Sequence, residues 1–85
     1  MTFQCSLLKE RGVEFAIVLV KLHILSSSNI REEARKKISC FFPGVPVILM
    51  AQNSRGIPQY HGRTDIVKFL ATIDFRKIPW KKYTI

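Results

Sequence analysis

Two short stretches of this sequence hold most of the side chains whose chemistry could serve a partner. The first runs from Arg55-Gly56 to His61-Gly62-Arg63-Thr64. It sets two arginines and a histidine beside the start of a predicted helix, where unpaired N–H groups favour an anion. A hairpin turn followed by a capped helix accounts for the same residues, with the arginines merely solvated. The second stretch is Arg76-Lys77-Ile78-Pro79-Trp80-Lys81-Lys82-Tyr83. Cations interleaved with aromatics can hold phosphates while a ring stacks on a base. The competing reading is an edge strand whose Trp80 and Tyr83 pack inward and whose lysines deter edge-to-edge pairing. Arg55, His61, Arg63, Arg76, Lys77, Trp80, Lys81, Lys82 and Tyr83 are thus the candidate nucleic-acid or anion-binding residues. Their closeness in sequence predicts that Arg55, Arg63, Arg76, Lys77, Lys81 and Lys82 gather into one basic face.

Other chemistry finds less support. Cys5, Cys40, His23 and His61 are the potential zinc ligands, but no two form the closely spaced pair that zinc sites show. Cys40 lies at the carboxyl end of a predicted helix, where nothing activates a thiol, so Cys5 and Cys40 are not expected to act together in catalysis. No Ser-His-Asp or paired-carboxylate arrangement stands out. Asp65 and Asp74 read as a helix opener and a helix end, and Glu32 and Glu33 as partners of Lys36 and Lys37. Few acids remain to serve as a general base. The expectation is a non-catalytic protein with no metal and no cofactor.

Composition sets the class of partner. With 85 residues, the chain has room for one core and one domain. A 47% hydrophobic and 24% charged composition is that of a globular chain rather than a disordered one. The net charge of +8 attracts phosphate backbones or an acidic protein. The longest apolar run, residues 15–25, is broken by Lys21 and His23 and falls short of the roughly 20 residues of a membrane span. The first residues lack the pattern of a signal peptide, and two lone cysteines suit a reducing compartment. A cytoplasmic protein without membrane contact is expected. Nucleic acid is the leading partner; an acidic protein, or a second copy covering a sheet edge, is the alternative.

The elements that must position these residues follow from periodicity and turn chemistry. Residues 2–8 suit a short strand, and Lys9-Glu10-Arg11-Gly12 a turn. Residues 13–25 read as a buried strand, apolar on both faces up to Val20 and alternating beyond it. Asn29 can cap a helix, with Glu32 reaching back, and Ile30, Ala34, Ile38 and Phe41 form its apolar stripe. Pro43-Gly44 ends that helix. Residues 45–51 form a second buried strand, and residues 57–61, with Pro58, an edge strand. Thr64 is the expected cap of a second helix whose stripe is Ile66, Val67, Phe69, Leu70 and Ile73. Residues 74–85 form a basic-aromatic tail or a last strand. The order (β)βαββα(β) predicts an α/β (α+β) domain with two helices on a small mixed sheet. Phe15, Ile17, Val18, Leu19, Ile38, Val47, Ile48, Leu49, Phe69 and Leu70 form its expected core.

From residue 15 to residue 70 this order resembles the second half of a thioredoxin-like domain. The likeness rests on a buried strand, a helix, a strand opened by Val45-Pro46, a turn with Gly56, an edge strand and a helix holding Lys68-Phe69-Leu70. It implies a cis Val45–Pro46 bond. The family's redox CxxC belongs to the first half and has no match here, so the disulfide chemistry is not implied. A ferredoxin-like βαββαβ sandwich is the competing architecture. It requires the strand carrying Pro58 at the sheet centre, which proline disfavours.

Overall fold

The apolar run from Phe15 to Val20 has no polar face to offer water, so it must be covered on both sides. The computed structural model, which describes residues 2–84, places it at the centre of a five-stranded mixed sheet. The elements in chain order are β1 (Thr2–Glu10), β2 (Val13–Leu19), α1 (Leu22–Leu25), α2 (Ser28–Ser39), β3 (Val47–Gln52), β4 (Pro58–His61), α3 (Thr64–Leu70) and β5 (Lys81–Thr84). A 3-10 turn, Phe75–Lys77, precedes β5. The sheet order is β4-β3-β2-β1-β5. Only β2 and β3 run parallel, and α1 and α2 make the crossover between them. The small mixed sheet with two main helices is the predicted fold class. With β4 at the edge, the ferredoxin-like arrangement is excluded.

Because side chains alternate along each strand, the two faces of the sheet carry separate cores. Cys5, Ala16, Val18, Val47 and Leu49 pack with Ile38 of α2 and with Phe42. On the other face Phe15, Ile17, Ile48 and Met50 pack with Ile66 and Leu70 of α3 and with Ile78. Leu19 and Phe69, expected in the core, are only partly buried and flank this second cluster.

Several local expectations are corrected. The strand does not continue to Leu25. The Val20 N–H makes a last bond to the Met50 carbonyl, and the chain then turns into α1. Both neighbouring strands continue beyond Leu19, but the next hydrogen bonds of this segment are local: the Ile24 N–H donates to the Lys21 carbonyl, and the Ser26 N–H and hydroxyl donate to the His23 carbonyl. The first long helix starts at Ser28 with Ser27 as its cap residue and no side-chain cap bond, so Asn29 lies in its first turn. Its stripe also ends early. The helix stops at Ser39, and the irregular turn that follows buries Phe42 while leaving Phe41 48% exposed. Ile30, in the first turn, is 44% exposed. Arg63, not Thr64, occupies the cap position of α3. The Val45–Pro46 bond is trans, not cis.

Candidate nucleic-acid interface

Where parallel strands end, the chain must leave the sheet, and loops from several elements converge there. In this fold that end lies opposite the β1–β2 hairpin, and the two ends are called here the carboxyl pole and the hairpin pole. At the carboxyl pole an open groove of about 850 Å³ follows the ends of β1 and β2. Phe3, Val18, Val20, Ile24 and Ile38 give it apolar walls. Lys21, His23 and Lys82 line its polar side with Gln4 and Gln52, and among the described residues no Asp or Glu side chain joins them.

Each of these side chains has a reason to be there. Lys21 and His23 belong to the segment that departs from β2. Gln4 pairs with Leu19 on one side and Lys82 on the other, so β5 delivers Lys82 to the level where β2 ends. Arg55 sits in the turn just beyond Gln52. Asn53 holds this turn: its side-chain oxygen accepts from the N–H groups of Arg55 at 2.9 Å and Ile57 at 3.0 Å. The Gln52 side chain donates to the Gly56 carbonyl at 3.2 Å. Among the described residues Lys21, Arg55 and Lys82 form no ion pair. From β4 to β5 the sheet spans about 19 Å, taking roughly 4.8 Å per strand spacing. The pole therefore presents separated, unneutralised cations along its width.

The remaining candidate residues are placed elsewhere. Arg63 Nε donates to Asp65 at 2.8 Å, and that bond holds the Asp65 carboxyl below its usual range. Arg76 grips both oxygens of Asp74 at 3.1 Å, which lowers the carboxyl's pKa and raises the guanidinium's. Lys77 lies beside Leu8 and Asp74, toward the hairpin pole. Lys81 pairs in register with Cys5, and as the neighbour of Lys82 on one strand it points to the opposite face. The single basic face expected from sequence proximity is therefore not formed. Arg55 and Lys82 share the carboxyl pole, Arg63 and Arg76 are neutralised by neighbouring acids, and Lys77 and Lys81 are separate.

The two aromatic candidates are engaged in packing. Trp80 is half-buried against the α3-side core, and its Nε1–H donates to the Phe75 carbonyl at 3.3 Å. Tyr83 stacks on Phe3 with centroids 5.9 Å apart and meets the edge of Phe42 at 6.2 Å. The rings lie on opposite faces of the sheet and do not form a common stacking platform.

His61 is tied rather than free. Its Nε2 lies 2.9 Å from Glu32 Oε1, while Arg35 Nη2 donates to Glu32 Oε2 at 2.9 Å. This replaces the expected Glu32–Lys36 pair and fastens α2 to the edge strand β4. The Arg35 and His61 hydrogen bonds hold the Glu32 carboxyl down to about 2. A depressed carboxylate contributes stability that is full above its unfolded pKa near 4.5 and disappears as pH falls through about 2. Glu32→Gln is accordingly expected to flatten the acid limb of a stability–pH curve measured by urea unfolding, with little change in the pH dependence above it. An acid limb identical to the parent's would show that the clamp does not contribute.

Among the described residues no three His, Cys, Asp or Glu side chains come together as a metal site. Cys5 is buried in β1 and Cys40 is exposed after α2, and both are free thiols. No helix among the described residues is long and apolar enough to cross a membrane.

Sequence reasoning passed over Lys21, His23, Gln4 and Gln52. One signal for the first two was legible: the break in the apolar run at Lys21 marks where a buried strand surfaces. Nothing in the sequence pointed to Gln4 or to the pairing that brings Lys82 beside it. Comparison with family models, with curated proteins and with solved structures finds no match to this chain.

Proposed function

We propose that this protein is a non-catalytic, cytoplasmic module that binds nucleic acid through the carboxyl pole. The observation that carries this reading is the groove bearing Lys21, His23 and Lys82, with no Asp or Glu side chain lining it among the described residues and with Arg55 at the same pole. Four of the chain's six acids are not at this pole. Glu10 and Glu14 flank the β1–β2 turn, Asp65 lies across from Glu10, and Asp74 beside Leu8. A duplex carries a phosphate charge about every 1.7 Å of its axis, so cations spread over some 19 Å can meet several of them. Since Trp80 and Tyr83 are occupied in packing, contact is with the backbone and independent of base sequence. A redox-inactive, thioredoxin-like scaffold belongs to the same proposal, supported by the run from β2 through α3.

A fluorescent DNA duplex and its single strand, titrated over a series of salt concentrations, test the reading. Changing Lys21 and Lys82 together to alanine should weaken binding to every sequence and flatten the salt slope by about two units. The same change at Lys68 and Lys77, at the hairpin pole, should leave the slope nearly intact. Binding that is absent, or insensitive to salt, would sink the proposal.

A second reading is a protein–protein adaptor, favoured by two sheet edges, β4 and β5, that no other strand covers among the described residues. An apolar or edge-paired contact would survive high salt, unlike phosphate binding.

A further inference from the structure

The groove at the carboxyl pole is not only cationic. Leu22, next to Lys21, lines it and is 39% exposed. Phe3, Val20 and Ile24 line it half-buried. The short helix α1, which carries Leu22 and Ile24, buries none of its residues completely. Apolar surface left open along a groove marks a place where something binds. Here the occupant must meet cations as well.

The polar side chains form a row. β5, β1, β2 and β3 are consecutive in the sheet, and their ends contribute Lys82, Gln4, Lys21 and Gln52 in that order. Three strand spacings of roughly 4.8 Å set the outer two about 14 Å apart across the sheet. Gln52 donates its amide N–H to the Gly56 carbonyl at 3.2 Å, which leaves its side-chain oxygen as an acceptor.

We infer that this groove selects single-stranded over double-stranded nucleic acid, an inference that rests on the phosphate-binding reading above. In a duplex the bases stack on one another, and the outside offers phosphates, sugars and base edges. That surface answers Lys21 and Lys82 but gives Val20, Leu22 and Ile24 nothing apolar to meet. A single strand carries phosphates too, and its unstacked bases have flat faces that can be buried. Every base has such a face, so binding stays independent of sequence while the charged contacts remain with the backbone. A lipid surface fits less well. The apolar side chains line a concavity rather than a ridge, and Gln4 and Gln52 bring amides that acyl chains do not satisfy.

Fluorescence anisotropy with the whole chain, at one salt concentration, compares an oligothymidylate, a duplex of the same length and an abasic deoxyribose-phosphate strand of that length. Co-sedimentation with phosphatidylserine vesicles is the fourth arm. The duplex has the higher charge density, so electrostatics alone would rank it first. Oligothymidylate should instead bind about tenfold more tightly than the duplex or the abasic strand. Leu22→Ser should weaken oligothymidylate about three- to tenfold, with the salt slope and the abasic strand's affinity unchanged. The comparison of probes on the unaltered chain is independent of any effect of the substitution on folding. Salt-sensitive binding that is equal for single strand and duplex, or for oligothymidylate and the abasic strand, would overturn this inference and leave the phosphate-binding reading standing. So would an oligothymidylate affinity untouched by Leu22→Ser. Absence of salt-sensitive binding to every strand would overturn both, and vesicle binding in its place would make lipid the occupant.

Discussion

Ile48→Ala is expected to lower the unfolding free energy by about 2–5 kcal/mol, as a large-to-small change does in a core that cannot collapse. Ile48 is fully buried in β3, pairs in register with Ile17, and packs on the face that Ile66 and Leu70 cover. Both neighbours belong to rigid elements, so little can move in to fill the space. A domain of this size has only about 5–15 kcal/mol in total, so the loss is a large share of its stability. Urea unfolding followed by circular dichroism would show a lower midpoint with an unchanged slope. Ile30→Ala provides the contrast. It has the same chemistry, but Ile30 is 44% exposed, so the change should stay within about 0.5 kcal/mol. If Ile48→Ala also cost no more than Ile30→Ala, the two-sided burial of β3 would be wrong.

Gly62→Ala is expected to cost about 1–3 kcal/mol through overpacking, although it adds a single methyl group. Gly62 follows β4 and opens the approach to α3, and its backbone lies directly against β3. A Cβ there would run into Ile48 Cδ1 and stand 3.1 Å from the Val47 carbonyl oxygen and 3.3 Å from Ile48 Cα. The side-chain clash can be relieved, but the backbone contacts cannot. That distinction gives a sharper test than the single variant. Ile48→Val deletes the δ-methyl that the new Cβ would strike. In a double-mutant cycle its cost should therefore shrink, or reverse, when Gly62 is already alanine. Strict additivity would mean that the two residues are not in contact and that β4 enters α3 along a different path.

Much of the architecture was legible in the sequence, and the reasons are local. The apolar stretches around Ile17 and Ile48 announce strands covered on both faces, because no alternation leaves a side for water. Pro58 confines its strand to an edge, since a proline has no N–H for a second neighbour. Pro43-Gly44 marks the loop after the first long helix, although the helix itself ends earlier, at Ser39. The candidate site was less legible. Lys82 was singled out for its neighbours in sequence, Trp80, Lys81 and Tyr83, whereas its place in the groove comes from Gln4 and Leu19, distant along the chain.

Periodicity failed where an element ended sooner than its pattern. Phe41 continues the spacing of Ala34 and Ile38, but the helix stops at Ser39 and the next turn buries Phe42 instead. Lys21 and Leu22 continue the alternation of β2, yet the chain turns there into α1, where the Ile24 and Ser26 N–H groups bond to the Lys21 and His23 carbonyls. Charge behaved in the same way. The excess of +8 is fixed by composition. Whether a given cation is free is decided by which carboxylate stands next to it in space. Asp65 and Asp74 neutralise Arg63 and Arg76, and Glu32 draws His61 onto α2. Among the described residues Lys21, Arg55 and Lys82 have no carboxylate in ion-pair contact. Sequence alone determined the main strands, the two main helices and the amount of charge, since these depend on residues close along the chain. Only the tertiary structure decided which cations face outward together, because strand pairing joins residues that the sequence separates.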